Sequence, residues 1–196
     1  MKIPTQENIE YVKEWLELKL TTGKASNLLV NQLAQGLINR TLHFHIVCDE
    51  IGVLEGALYS RSSNTKPASE FRHQPLQGLW HKHYTEPSHI LENIKNHWGR
   101  DFKRFTFIED EILAGQEAVQ LTPAILGQIA QALVMNAHHD RNESQKMTGE
   151  WIVYAVHNEE NYYLTIGTHK EGDEEIATRI RECAAEFPDL NLRNHI

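Results

Sequence analysis

The feature that most constrains the fold is a pair of β-rich runs near the C-terminus, EWIVYAVH and NYYLTIGTH, separated only by the polar residues NEE. So short a connection between strand-forming runs predicts an antiparallel hairpin over residues 150–169. The run EGDEEIATRIRECAAEF follows, with acidic residues in its first turn, and it predicts a helix that ends before Pro188. We expect the core side of this unit to contain Trp151, Val153, Ile166, Ile176 and Ile180.

The N-terminal part of the chain has helical periodicity. Apolar residues recur at helical spacing in residues 7–20 and again in 25–40, which predicts a two-helix element. The next stretch, TLHFHIVCDE, is β-branched and aromatic, and it predicts a strand over residues 41–48 with IGVLEGALYSR as its partner strand. Weaker patterns predict a helix from Ser88, a strand within FKRFTFIEDEIL and a helix from Thr122.

This order of elements predicts an α+β fold with a mainly antiparallel sheet. At 196 residues, with no linker-like tract, the chain is expected to form a single domain. Within it, residues 1–40 would be an N-terminal helical element and residues 41–196 the α+β body. No apolar run is long enough to span a membrane, and the N-terminal segment lacks the apolar core of a signal peptide, so we expect a cytoplasmic protein with both cysteines reduced.

Charge is unevenly distributed along the chain. Residues 70–104 carry six basic, four acidic and five histidine side chains, whereas residues 105–196 carry six basic and sixteen acidic ones. The middle segment is therefore the only cationic part of a chain with a formal charge of −8. That balance disfavours binding of nucleic acid over a broad surface, but it is compatible with a small basic cleft for an anion.

Histidines recur in the pattern His-x-His, at His43 and His45 and at His81 and His83. Residues two apart in a strand point to the same face, so each pair would share a face of a sheet. Two such pairs could surround a divalent transition metal, or supply a general acid and a general base. The same pattern also occurs as the polar face of a half-buried sheet, so a structural role stands beside the chemical one.

The segment FRHQPLQGLWHKHY combines these histidines with aromatic and basic residues. Its Pro and Gly residues predict an ordered irregular segment, the kind of element that commonly carries a site. We therefore expect this segment to line a functional cleft, with one further histidine reaching in from the neighbouring strand. The candidate catalytic residues are His81, His83 and His45, and the candidate substrate-binding residues are Arg72, His73, Trp80, Lys82 and Tyr84.

Two classes of function fit these observations. The first is a small histidine-dependent enzyme, a hydrolase or nuclease-like protein, that acts on a phosphate-containing small molecule or nucleic-acid fragment through the basic cleft. The second is a binding module, of the inhibitor or immunity type, whose acidic C-terminal half covers a basic protein partner. Phosphate-binding loops, dinucleotide fingerprints and zinc-protease motifs are absent from the sequence, and no membrane partner is expected.

Overall fold

The structure is a computed structural model, and it describes residues 2–58, 63, 65–85, 127, 130, 131, 134, 150–168 and 170–192. The helix predicted from Ser88 and the strand predicted within residues 102–113 lie outside the described residues. The helix predicted from Thr122 lies almost entirely outside them as well.

The described strands are β1 (Lys24–Ala25), β2 (Ser69–Glu70), β3 (Trp80–Tyr84), β4 (Glu150–His157) and β5 (Glu160–Gly167). They form one sheet in the order β1-β5-β4-β3-β2. Three of its four strand pairings are antiparallel, and β1 pairs in parallel with β5, so the mainly antiparallel sheet and the α+β class are confirmed.

The C-terminal hairpin predicted from the sequence is the central pair of this sheet. Strands β4 and β5 are joined by a two-residue loop, because Glu160 already belongs to β5. Both loop residues, Asn158 and Glu159, have positive φ angles, 50° and 65°. Type I′ turns need positive φ at both central positions, and their twist matches that of the adjoining strands.

Two helices lie within the first 40 residues, one on each side of the short strand β1, which confirms the N-terminal helical pair. Helix α1 (Gln6–Glu17) begins at Thr5, whose side chain accepts a hydrogen bond from the backbone amide of Asn8 in a capping box. Helix α2 (Asn27–Asn39) begins at Ser26, whose hydroxyl accepts from the amide of Leu29, and it ends at a left-handed residue. Both starts therefore satisfy amide groups that have no partner within the helix.

The strand predicted over residues 41–48 is wrong, because these residues lead into helix α3 (Phe44–Leu54). The partner strand predicted from Ile51 is wrong for the same reason, since residues 51–54 complete the helix. The local β propensity is overridden by tertiary packing. The buried side chains of α3 follow helical spacing, and the apolar ones among them are Phe44, Val47, Cys48 and Ile51.

Each face of the sheet packs against a different set of helices. On one face, here the α1–α3 face, Ile152, Tyr154 and Tyr163 join a core with the three N-terminal helices. On the other, here the α4 face, Val153 and Leu164 pack against helix α4 (Asp173–Ile180). The sheet is thus covered on both sides, as a layered α+β architecture requires.

Helix α4 follows the hairpin as predicted, with Gly172 as its N-cap and two short 3₁₀ turns, Arg181–Ala185 and Pro188–Leu190, after it. Of the predicted core residues, Val153, Ile176 and Ile180 are fully buried. The other two, Trp151 and Ile166, keep a partly exposed edge.

Both cysteines are free and buried, as the sequence predicts. Cys48 lies in the core of the α1–α3 face, and Cys183 lies in the core of the α4 face. Burial raises the pKa of the Cys48 thiol to about 12. Neither thiol is therefore a reactive thiolate at neutral pH.

Candidate functional site

Strand β3 places the two histidines of WHKHY on one face of the sheet. His81 pairs with Val153 and His83 pairs with Trp151 on strand β4, so both imidazoles point to the α4 face. Their ring centroids are 5.6 Å apart. The expected shared face therefore follows from strand geometry, in which alternate residues point the same way.

A cavity of about 590 Å³ opens beside His81. It lies where the edge strand β2, the following loop, strands β3 and β4 and the start of α4 meet. Its size falls in the range of about 300–1,000 Å³ that is typical of small-molecule sites. The residues that line it are Ser69, Glu70, Phe71, Arg72, His73, His81, Trp151 and Asp173.

The loop between β2 and β3 carries Arg72 and His73, and backbone hydrogen bonds hold its base. The amide of Phe71 donates to the carbonyl of Leu79 at 2.8 Å, and the amide of Gly78 donates to the carbonyl of Phe71 at 3.2 Å. Leu76, at the middle of the loop, is fully buried. Gly78 has a φ of 88°, a conformation that glycine adopts without strain. The loop is therefore anchored while the side chains of Arg72 and His73 stay exposed.

His81 contacts a hydroxyl and two aromatic rings. Its Nε2 lies 3.3 Å from Ser69 Oγ, and the imidazole tautomer sets the direction of that hydrogen bond. Its ring lies 4.5 Å from the ring of Phe71 and 5.6 Å from that of Trp151, measured between centroids. An imidazole held between rings and bonded to a hydroxyl can move a proton to or from that oxygen.

Charges of both signs surround the cavity. Arg72 supplies a permanent cation, and His73 supplies an imidazole with nitrogen atoms for hydrogen bonding. Glu70 and Asp173 add two carboxylates. The arrangement can therefore bind an anionic group at the arginine and accept hydrogen bonds from hydroxyl groups elsewhere.

The transition-metal site that the sequence left open as one alternative has no counterpart among the residues described. Within them, no group of three or more His, Cys, Asp and Glu side chains is arranged to hold a metal ion. A transition-metal site needs about three or four such donors around one point. Proton transfer is the histidine chemistry that the cavity's described residues support.

His83 does not line the cavity, although it shares a face with His81. Only 6% of its surface is exposed, and its ring lies 6.4 Å from that of Trp151. Its backbone carbonyl accepts a hydrogen bond from the Thr65 hydroxyl at 2.8 Å. The structure therefore places this histidine in the core next to the cavity, behind His81.

Three further candidates, Trp80, Lys82 and Tyr84, point away from the cavity. They alternate with the histidines along β3, so they belong to the α1–α3 face. Trp80 packs near Tyr154, and Tyr84 is 3% exposed within the core. Lys82 is buried in an ion pair with Glu50. The structure does not bring these three residues to the cavity beside His81.

His45 does not reach in from a neighbouring strand, and that expectation is corrected because the strand does not exist. His45 lies on helix α3, with its ring 4.5 Å from that of Trp15 and 3.9 Å from that of Phe44. Burial lowers the pKa of its imidazole, against an opposing effect of Asp49. The residue is exposed, and its ring lies at the edge of the contact between α3 and α1.

Sequence reasoning missed four residues of the cavity: Ser69, Glu70, Trp151 and Asp173. Ser69 becomes a neighbour of His81 through the register of β2 on β3. Trp151 was expected only as a core residue, and Asp173 only as a helix-capping one. Because alternate residues of a strand point to opposite faces, the pattern WHKHY could have placed Lys82 on the face opposite the histidines. No local signal, however, gives the register of a two-residue edge strand.

A second cavity, of about 560 Å³, lies between helix α2 and the ends of the central strands. Its described lining includes the carboxamides of Asn31, Gln32 and Gln35, but its one charged side chain is Glu150 and it holds no histidine. Gln32 already accepts hydrogen bonds from Thr165 and from the amide of Ile166. Of these two cavities, the one beside His81 therefore holds more titratable side chains.

Comparison with protein-family models, curated proteins and solved structures gave no match. Among the helices that the structure describes, none combines the length and the apolar character needed to cross a membrane. Function must therefore be inferred from the chemistry of the cavity itself.

Proposed function

We propose that this protein is a histidine-dependent enzyme that hydrolyses a small phosphate-containing substrate bound in the cavity beside His81. The observation that carries this proposal is the convergence of Arg72, His73 and His81 on one cavity, with the Ser69 hydroxyl in contact with the His81 imidazole. A cation, a proton carrier and an attacking oxygen are the groups that phosphate-ester hydrolysis requires.

Arg72 is proposed to bind the phosphate. Its guanidinium is planar and always charged, so it can donate two parallel hydrogen bonds to phosphate oxygens. Its exposure at the cavity leaves it accessible to a ligand. His73 follows it directly in the anchored loop, and in its protonated form it would add a second donor to the same anion.

His81 is proposed to move the proton. Its Nε2, 3.3 Å from Ser69 Oγ, would accept the hydroxyl proton as that oxygen attacks phosphorus. The bond from phosphorus to the leaving oxygen then breaks, and His81 returns the proton to that oxygen. In a second step His81 takes a proton from water as the water oxygen attacks phosphorus. The bond from phosphorus to Ser69 Oγ breaks, His81 returns the proton to Oγ, and inorganic phosphate leaves. A distance at the long end of hydrogen bonding is common before substrate binds.

The test is phosphate binding by calorimetry together with hydrolysis of a chromogenic phosphate monoester. We expect Arg72→Ala to weaken phosphate binding roughly 10-fold or more, because it removes a charged hydrogen-bond donor. We expect His81→Ala and Ser69→Ala each to lower turnover roughly 100-fold or more. His157→Ala, on the hairpin and away from the cavity, is the matched control. Absence of phosphate binding, or full turnover by His81→Ala, would refute the proposal.

The alternative is the acidic binding module. The observation in its favour is that Asp173, Glu174 and Glu175, in the first turn of α4, are all exposed. Acidic residues at a helix N-terminus also have a local explanation, since they interact favourably with the helix dipole. A double reversal, Glu174→Lys with Glu175→Lys, would separate the two: a binder loses salt-sensitive affinity for a polycation such as polylysine, whereas the enzyme keeps its turnover.

A further inference from the structure

We infer that the substrate carries a planar aromatic group beside its phosphate, and that a nucleoside monophosphate is the class it fits. The inference rests on the proposed function, because it names the substrate of the same cavity. It is carried by a feature that phosphate chemistry does not require, a wall of three aromatic rings formed by Phe71, His81 and Trp151.

The three rings contact one another in pairs. The centroids of Phe71 and His81 are 4.5 Å apart, those of Phe71 and Trp151 are 5.6 Å apart, and those of His81 and Trp151 are also 5.6 Å apart. All three side chains are half-buried and line the cavity. The plane of Phe71 is inclined by 86° to that of Trp151 and by 40° to that of His81, so the rings hold one another in tilted and edge-to-face contacts. A flat ligand ring would stack on the accessible part of one of them.

The wall adjoins the cationic loop directly in sequence. Phe71 belongs to the wall, and Arg72 and His73 follow it, so a ring and an anion can be held side by side. The volume of about 590 Å³ also exceeds what a phosphate alone would fill. Glu70 and Asp173 supply carboxylates that can accept hydrogen bonds from sugar hydroxyls. Base, sugar and phosphate thus each have a matching group in the lining.

The experiment compares ligands that differ in one part at a time. Binding of adenosine 5′-monophosphate, ribose 5-phosphate and adenosine is measured by calorimetry. Phenyl phosphate and cyclohexyl phosphate form a second pair of similar size that differs in planarity. We expect adenosine 5′-monophosphate to bind roughly 10-fold more tightly than ribose 5-phosphate, because stacking of one base on aromatic side chains gives a factor of that order. Phenyl phosphate should likewise bind more tightly than cyclohexyl phosphate.

Variants then locate the effect on the wall. Phe71→Leu should lower the affinity for the aromatic ligands more than the affinity for ribose 5-phosphate, because Arg72 remains, and so remove the preference for the aromatic ligands. Phe71→Tyr keeps a ring and should keep the preference. Phe187→Leu is the control, since Phe187 is also half-buried on the α4 face but contacts Tyr162 instead of the cavity.

The possible failures are distinguishable. Equal affinities for adenosine 5′-monophosphate and ribose 5-phosphate would overturn the inference and leave the proposed phosphate chemistry standing. Adenosine bound as tightly as its monophosphate would overturn both, because the phosphate would then contribute nothing. Absence of binding by every ligand would also overturn both. If Phe71→Leu does not fold, the ligand pairs on the unaltered protein still decide the question.

Discussion

Lys82 on strand β3 forms an ion pair with Glu50 on helix α3, with 3.4 Å between the ammonium nitrogen and the carboxylate oxygen. Both side chains are almost completely buried. The ammonium group also donates to the Ser63 hydroxyl at 2.8 Å, to the Thr65 hydroxyl at 2.6 Å and to the carbonyl of Lys66 at 2.8 Å. Burial lowers the pKa of Lys82, while Glu50 opposes that effect. This lysine therefore holds the segment before β2 onto α3 and the sheet.

Replacing Lys82 by Met is expected to destabilise the protein by about 3–5 kcal/mol, because it leaves the buried Glu50 carboxylate without its cation. The double variant Lys82→Met with Glu50→Leu should lose less than the single one, since no uncompensated charge remains. Urea unfolding of each variant measures both effects. Lys24→Met serves as a control, because the Lys24–Glu160 pair is exposed and should contribute little. A single variant as stable as the unaltered protein would contradict the structural role.

Glu55 connects three elements through one carboxylate. Its oxygens accept hydrogen bonds from the side chains of Asn161 and Tyr163, at 3.0 and 2.7 Å, and from the backbone amides of residues 21–23. Burial raises the pKa of this carboxyl, but the hydrogen bonds from Asn161, Tyr163, Gly23 and Thr21 together outweigh it and lower the pKa from 4.5 to about 2. The ionised form is therefore the one that the fold stabilises.

We expect Glu55→Gln to lower the free energy of unfolding at pH 7 by about 2 kcal/mol, a figure that allows for the partial exposure of the carboxylate. Because the pKa is lower in the folded state, the contribution is complete above pH 4.5 and is lost as the pH falls towards about 2. The difference between the variant and the unaltered protein should shrink over that interval. Chemical unfolding at pH 7, 4 and 3 measures it. A difference that does not vary with pH would show that the lost stability is unrelated to the charge.

Helix α3 illustrates where local sequence patterns fail. The run TLHFHIVCDE is rich in β-branched and aromatic residues, which locally favour a strand. Phe44, Val47, Cys48 and Ile51 nevertheless recur at intervals of three and four, the spacing of a helix face. In the hairpin and α4, composition and spacing agree, and there the sequence was sufficient. In α3 they conflict, and burial against α1 and α2 decides in favour of the helix.

The sequence alone could predict only those residues of the candidate site that lie close together along the chain. Arg72, His73 and His81 lie within ten residues of one another, and one loop and one strand bring them to the same cavity. The register of the strands places Ser69 and Trp151 at the cavity, and the packing of α4 on the sheet places Asp173 there. Such long-range relationships depend on the whole fold, so a short window of sequence does not contain them.

Ile180→Ala tests whether α4 is part of the main core. Ile180 is fully buried among the residues of the α4 face, so we expect a loss of about 2–5 kcal/mol from the removed contacts and the cavity left behind. Denaturant unfolding measures this loss. Leu58→Ala is the control, because Leu58 is 93% exposed and should change stability by less than about 0.5 kcal/mol. A loss below about 1 kcal/mol at Ile180 would mean that α4 packs only loosely.

Thiol labelling tests the state of the two cysteines. Cys48 and Cys183 are free and buried, and burial raises the pKa of both thiols, so they should react slowly in the folded protein. When the protein is unfolded in guanidinium without any reductant, two thiols per chain should react with the label. A count near zero after unfolding would instead reveal a disulfide. Rapid reaction of both thiols before unfolding would show that the cores around them open readily.

The turn of the central hairpin offers a stabilising substitution. Asn158 and Glu159 both have positive φ, and a side chain with a Cβ is strained in that region, whereas glycine is not. We expect Glu159→Gly to raise the free energy of unfolding by about 0.5–1 kcal/mol, because relief of the strain exceeds the added entropy of the unfolded chain. Glu159→Ala removes the same charge but keeps the Cβ, so it should give no such gain. If alanine stabilises the protein as much as glycine does, the effect comes from the lost charge of Glu159 and not from the turn.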